Sequence, residues 1–513
     1  MKKSILILFA IIIASSLKAK AHDFIALNNG DSIYYNLLYF DSTYSAEVTY
    51  RWYSSECKSN EYSGDISIPD SVLYNGVYLK VISISHAAFS YNPSLSSITI
   101  PKTIFAIGYT AFQNCSGLTD IIVNEENLRF SSMDGVLYSK NADTIFAYPG
   151  GKTVGFIIPN TVTTIGKCAF SYCPNLSSIT IPNTVTSIGE QAFGYCGGLS
   201  SITIPNSVIR IGRLPFIYCK DLLTIDVSED NLYYSSDDGI LFNKNKDSLI
   251  AFPTGKAGDL IIPNSVNHIC EYAFINCINL TSVIITNSVT SIGENAFYGC
   301  SGLSSIEIPS SITSISEACF SGCEGLTSVI IPNSIDSIGR SAFSVCTSLS
   351  SIIIPSSVTF IGDYAFYICT GLTSFTCKAV NPPEINYNTF NRVNDSIPVF
   401  VPCASINAYN DDTLWNDFIN IQCDVSLESV SHNIISTKLY PNPTNGKAKL
   451  EVEGLNSNAD MFIYDIFGRL IQKHEIKQGN NLIDIDLSGF GKGVYSINIL
   501  NSNINHNNKL ILQ

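Results

Sequence analysis

The chain has 513 residues, is 45% hydrophobic and only 14% charged, and carries 43 acidic against 29 basic side chains. Its formal charge of −14 argues against a nucleic-acid ligand and against adsorption to an anionic bilayer by charge alone. Six histidines and sixteen cysteines are scattered along it without a C-x-x-C, H-E-x-x-H or G-x-S-x-G, so metal and hydrolytic chemistry have no local signature.

Residues 1–21, MKKSILILFAIIIASSLKAKA, set Lys2 and Lys3 before an apolar run from Ile5 to Ala14 and end on a small-x-small motif at Ala19–Ala21. This reads as a secretory signal peptide, too short to span a bilayer, and no other stretch approaches a transmembrane segment. Its removal leaves 25 basic and 43 acidic residues, a net charge of −18. Residues 22–80 are aromatic-rich and out of phase with the chain beyond them. They read as an N-terminal β cap, because a repeat stack must cover its exposed end.

From 81 to 376 a 23-residue unit recurs, as in IPNTVTSIGEQAFGYCGGL from Ile181 and IPSSITSISEACFSGCEGL from Ile308. A period of that size marks a solenoid whose coils bury apolar positions only against their neighbours. Leu176, Ile179 and Ile181 suit a short strand with Thr180 outside, Pro182 closes it, and Val185 and Ile188 form a second apolar pair before Gly189 turns the chain. Two short parallel strands per coil, stacked ~4.8 Å apart, and little helix are expected. Two longer units of 35 residues, about 124–158 and 228–262, carry the related inserts DGVLYSKNADTIFAYPGGK and DGILFNKNKDSLIAFPTGK. A block of 104 residues is thus duplicated, and Asp134 and Asp238 are expected to begin the insert strands.

These residues resemble the BspA-like leucine-rich repeat family, with ten "AF" copies from Phe89 to Phe366. The resemblance implies a cell-surface protein, some members of the family being adhesins for host matrix proteins and other bacteria.

Cys115, Cys173, Cys196, Cys219, Cys277, Cys300, Cys323, Cys346 and Cys369 each follow the repeat Phe by three residues. That phase favours a ladder of buried reduced thiols over disulfides or metal ligands. Cys57, Cys168, Cys270, Cys319, Cys377, Cys403 and Cys423 lie off the ladder, and a disulfide among the last three is an open alternative. On the outward strand positions, Ile284, Ile330 and Ile353 surround Glu307 in an apolar strip suited to a protein ligand; strand propensity alone would also account for it. Tyr172, Tyr195 and Tyr218 share one phase, suited either to sugar or protein contact or to shielding the coil edge.

Residues 377–423 read as a C-terminal cap, with Trp415 and Phe418 over the last coil. Residues 424–437 read as a linker. From 438 to 513, alternating apolar residues between Gly and Asn turns describe a small antiparallel β-sandwich. Pro441, Asn442 and Pro443, then Gly468, Gly493 and Tyr495, resemble the C-terminal sorting domain of type IX secretion cargo. The resemblance implies export through the outer membrane to the cell surface or medium by that machinery.

Catalysis finds no constellation. His86 and His268 stand without a companion base, and Gly150-Gly151-Lys152-Thr153 lacks the upstream glycine of a phosphate loop. The expectation is a mainly β leucine-rich-repeat solenoid with a small C-terminal sandwich. It would need no cofactor and act as a non-enzymatic surface binding protein for a protein or glycan, an adhesin before anything else. A structural surface-layer component and a carbohydrate-capture module are the alternatives.

Overall fold

The computed structural model describes residues 22–28, 31–40, 43–50, 62–153, 155–424, 436–455, 457–466, 469–501 and 504–513. The expected signal peptide, Cys57, most of the expected linker and Gly468 lie outside them. The chain divides into two compact units, Met1–Val401 with Ser405–Cys423 and Pro402–Ala404 with Asp424–Gln513.

The first unit is a β-solenoid in which residue i lies beside i+23. In the first strand row Ile202 pairs with Ile225 and Thr203 with Asp226, parallel; in the second, Ile188 pairs with Ile211. Period-2 alternation puts Ile202 and Ile204 inside and leaves Ser201 and Thr203 exposed. The row already includes Gly64–Ser67, paired in parallel with Leu95–Ile100, in a stretch whose sequence reads as cap.

A third arc, the "AF" segment, also pairs from coil to coil. The amides of Gln191, Phe193 and Tyr195 donate to the carbonyls of Arg213, Pro215 and Ile217 at 2.9, 2.9 and 2.7 Å. Alternate amides point along the stack because Gln191 and Tyr195 adopt left-handed φ values of 51° and 61°. Val345 and Ile368 hold the same conformation at 61° and 58°, at about 1–3 kcal/mol each for a branched side chain. Gly189 does not have a positive φ. A Cβ there would lie 2.6 Å from the Gly166 carbonyl carbon, so close approach between coils, not turning freedom, requires glycine.

Phenylalanine rings fill the interior as a column. Phe274, Phe297, Phe320, Phe343 and Phe366 stack at 4.6–5.6 Å between centroids. Phe390 extends the column 5.3 Å beyond Phe366, and Trp415, fully buried, closes over it with its indole N–H donating to the Pro383 carbonyl. In the long coils Tyr148 and Phe252 take the Phe place. There Phe130–Met133 and Val136–Ser139 form an antiparallel hairpin, as do Tyr234–Asp237 and Ile240–Asn243. Asp134-Gly135 and Asp238-Gly239 do not begin strands. All four residues have positive φ, as the two-residue turn of a hairpin requires.

At the N-terminal end a sheet of Phe24–Asn28, Asp31–Phe40, Thr43–Thr49, Val77–Ile84 and Ser71–Tyr74 passes into the second row, where Ser83 and Ile84 pair with Ala106 and Ile107. Among the described residues one short α-helix, Ile406–Asp411, meets the other end through Tyr409, whose ring lies edge-on to Trp415. The second unit pairs a three-stranded antiparallel sheet, Ser436–Tyr440, Lys447–Leu455 and Gly479–Asp486, with a four-stranded one, Leu470–Ile476, Ala459–Tyr464, Gly493–Asn501 and Ile504–Leu512. Leu450, Val452, Met461, Ile463 and Ile497 form its core.

Candidate binding surfaces

The cysteine ladder faces inward. All nine of its thiols are buried and free. Each points at a main-chain carbonyl of the preceding coil, as Cys196 Sγ does to Phe170 O at 3.0 Å and Cys369 Sγ to Phe343 O at 3.0 Å. They are therefore hydrogen-bond donors as well as small apolar groups, and Asn92 takes the same place one coil earlier, donating to Phe89 O. Burial pushes Cys115, Cys219 and Cys369 up to about 12, which keeps them protonated donors. Cys168, Cys319 and Cys377 are buried free thiols and Cys270 a half-buried one, whereas Cys403 and Cys423 are disulfide-bonded. Cys377 instead receives a hydrogen bond from the Tyr409 hydroxyl at 3.1 Å.

The outward column of the first row presents Ile330 and Ile353 at 55% and 50% exposure, Glu307 exposed beside Ile330, and Ile284 half-buried. The structure adds Ile261, 45% exposed and in register with Ile284. The strip thus runs over five consecutive coils. In the same column Ile157, paired with Thr180, is three-quarters exposed, and Ile122, paired with Thr99, is 48% exposed. Ile157 and Ile261 each end a long coil, where the "I-I-P" preceding Pro159 and Pro263 was the available signal.

Tyr172, Tyr195 and Tyr218 do form one column. Their rings stack at 4.0 and 4.6 Å, and Tyr91 meets Tyr172 edge-on with the hydroxyls 3.4 Å apart. Both faces of Tyr195 are covered by its neighbours, while Tyr218 at the end of the column is 41% exposed.

In the second unit Asn442 grips the last strand. Its side-chain carbonyl accepts from Ile511 N at 2.8 Å and its amide donates to Lys509 O. Pro441 and Pro443 flank it in cis peptide bonds. Tyr495 is buried beside Leu510, its hydroxyl donating to Gly491 O at 2.6 Å, and Gly493 pairs with Leu512. Among the described residues no helix is long and apolar enough to cross a membrane, and no cluster of metal-ligating side chains occurs. The His86 ring meets the Thr110 hydroxyl and the His268 ring that of Ser291, so the partner in each pair is a hydroxyl and not an orienting carboxylate.

Comparison with known proteins agrees with this architecture. Residues 438–513 match the secretion system C-terminal sorting domain, which marks type IX secretion to the cell surface or extracellular space. A leucine rich cell surface protein of Faecalibacterium prausnitzii is 30% identical, aligned over 69% of this chain and 95% of its own, with a TM-score of 0.46. The pneumococcal vaccine antigen PcpA is 21% identical over 79% of this chain and 99% of its own, with a TM-score of 0.53. A leucine-rich repeat protein of Bacteroides ovatus is 26% identical over 79% and 100%, with a TM-score of 0.33. No curated protein matches. Residues 65–136, 142–247 and 248–373 match the BspA type leucine rich repeat region in six copies, and with more than half of its length in that match the chain belongs to the BspA-type leucine-rich repeat family.

Proposed function

We propose that this protein, exported with the aid of its N-terminal 21 residues and its sorting domain, is a non-enzymatic adhesin that binds a protein ligand along the outer face of its first strand row. The observation that carries the reading is the strip of Ile261, Ile284, Ile330 and Ile353 around Glu307. Apolar side chains aligned on neighbouring coils leave water only when a partner covers them. Protein is favoured over glycan because the strip is aliphatic and offers no aromatic face on which a sugar ring could stack.

The purified mature chain should bind at least one immobilised extracellular-matrix protein and ignore a glycan array. Ile330→Asp, placing a charge at the centre of the strip, should weaken that binding at least about tenfold with an unchanged melting curve. Binding to glycans alone, or undiminished binding by a folded Ile330→Asp protein, would refute the reading.

A further inference from the structure

Each long coil takes a short cut where the others bulge. Leu249 reaches Phe252 in three residues, whereas Ile165 reaches Phe170 in five. The arc is drawn in, and a recess opens over it between the flanking coils. In the first copy the chain's own side chains cross the recess. Gln113 donates to the Ser171 hydroxyl at 2.9 Å, Tyr91 meets Tyr172, and Lys167 lies over the Tyr109 ring.

In the second copy the residues equivalent to Gln113 and Ser171 are Ile217 and Ile275, which cannot make that bond. A cavity of about 350 Å³ remains there, lined by Ile217, Ile250, Phe252, Tyr272 and Ile275. One mouth is spanned by Arg213, paired with Glu271 at 2.8 Å and set over the Tyr272 ring. The main chain around it is also unfinished. Leu214, Phe216 and Tyr218 occupy the positions whose amides in the preceding coil donate forward, and among the described residues no acceptor meets them. On the facing wall, the carbonyls of Glu271 and Ile275 lack the backbone donors that serve Glu190 and Gly194.

From these three features, an apolar cavity, a row of unmet amides and a facing row of carbonyls, we infer that the second long coil is a binding site for a short peptide. An aliphatic side chain of the peptide enters between Ile217 and Ile275, and its main chain completes the interrupted hydrogen bonds. Pairing an added segment with an open backbone edge supplies affinity, while the pocket supplies selectivity. This site is separate from the isoleucine strip.

The test uses the mature chain and a peptide carrying fluorescein on its N-terminal amine, fluoresceinyl-Ser-Gly-Thr-Ile-Thr-Gly-Ser-amide, with a control carrying Gly for Ile, read by fluorescence anisotropy. The Ile peptide should bind at least about tenfold more tightly than the Gly control. The double variant Ile217→Gln with Ile275→Ser, which copies the bridge of the first recess, should lose about tenfold or more, a difference of about 1.4 kcal/mol. Ile275→Trp, which fills the cavity from the other wall, should do the same if the double variant is unstable. Absence of binding up to millimolar peptide, or equal binding by wild type and a folded closed variant, would overturn the inference. So would self-association of the wild type that the closed variant abolishes, which would give the recess to a second copy of the chain.

Discussion

The two long coils stand 104 residues apart and differ in an orderly way. Their buried asparagines make the same bonds in both. Asn127 lies wholly buried, donates to Pro101 O and Ile104 O, and accepts from the amides of Arg129 and Phe130. Asn231 does likewise with Pro205, Val208, Tyr233 and Tyr234. Ser132 and Ser236 each accept an amide from the strand row, from Val123 and Val227 at 2.9 Å. Outward, the copies part: Tyr109 faces Lys167 where Arg213 faces Glu271, and Gln113 bonds Ser171 where two isoleucines stand. A side chain satisfying four buried main-chain groups has no substitute, whereas one facing water is free to change, so differences between the copies concentrate where a ligand could reach.

The largest effect expected is at the shared asparagines. Asn127→Ala and Asn231→Ala each leave two carbonyls and two amides without partners, and each should cost about 3 kcal/mol. Hydrogen exchange should show the loosening confined to the mutated long coil and of similar size in both. A clear inequality would mean that the hairpins, not the asparagines, hold these turns.

The thiols preceding the long coils, Cys115 and Cys219, come next. Burial pushes both up to about 12 from an ordinary value of 9.0. A raised folded value means that the stability they contribute is complete below about pH 9 and is lost as pH rises through about 12. Alkaline unfolding followed by circular dichroism should therefore begin above pH 9. At pH 8 a thiol reagent should leave both cysteines unmodified in the native chain, and rapid labelling would show that the ladder opens.

The smallest effect separates the copies. Arg213→Ala removes an ion pair between side chains 64% and 51% exposed and should cost less than about 1 kcal/mol. Added salt should shrink that cost. Tyr109→Ala, at the equivalent position, should cost a similar amount with less salt dependence, since its partner Lys167 keeps its pair with Glu190 at 2.9 Å. Equal salt dependence in melting experiments would erase the distinction.

Much of this was legible in the residues. The 23-residue phase places the Phe and Cys columns, the alternation in Ser201–Ile204 and the outward Ile330 and Ile353, because one coil repeats one environment and periodicity carries that environment in the sequence. Phe390 carries a weaker signal, since its spacing from Phe366 is 24 and its neighbour is Thr389 rather than alanine. Ile261 is hidden because it ends a long unit whose other residues are off phase. The Asp-Gly pairs could be assigned to a turn only once their flanking strands were seen to pair.

Composition and period by themselves determined the solenoid, its inward columns and the strand alternation of the small C-terminal sandwich, since burial selects apolar side chains at fixed intervals whatever lies outside. Which groups meet across a long coil was decided in three dimensions. A shortened arc brings together residues 58 apart, such as Gln113 with Ser171 and Arg213 with Glu271, and no local pattern records a contact created by what the chain between them leaves out.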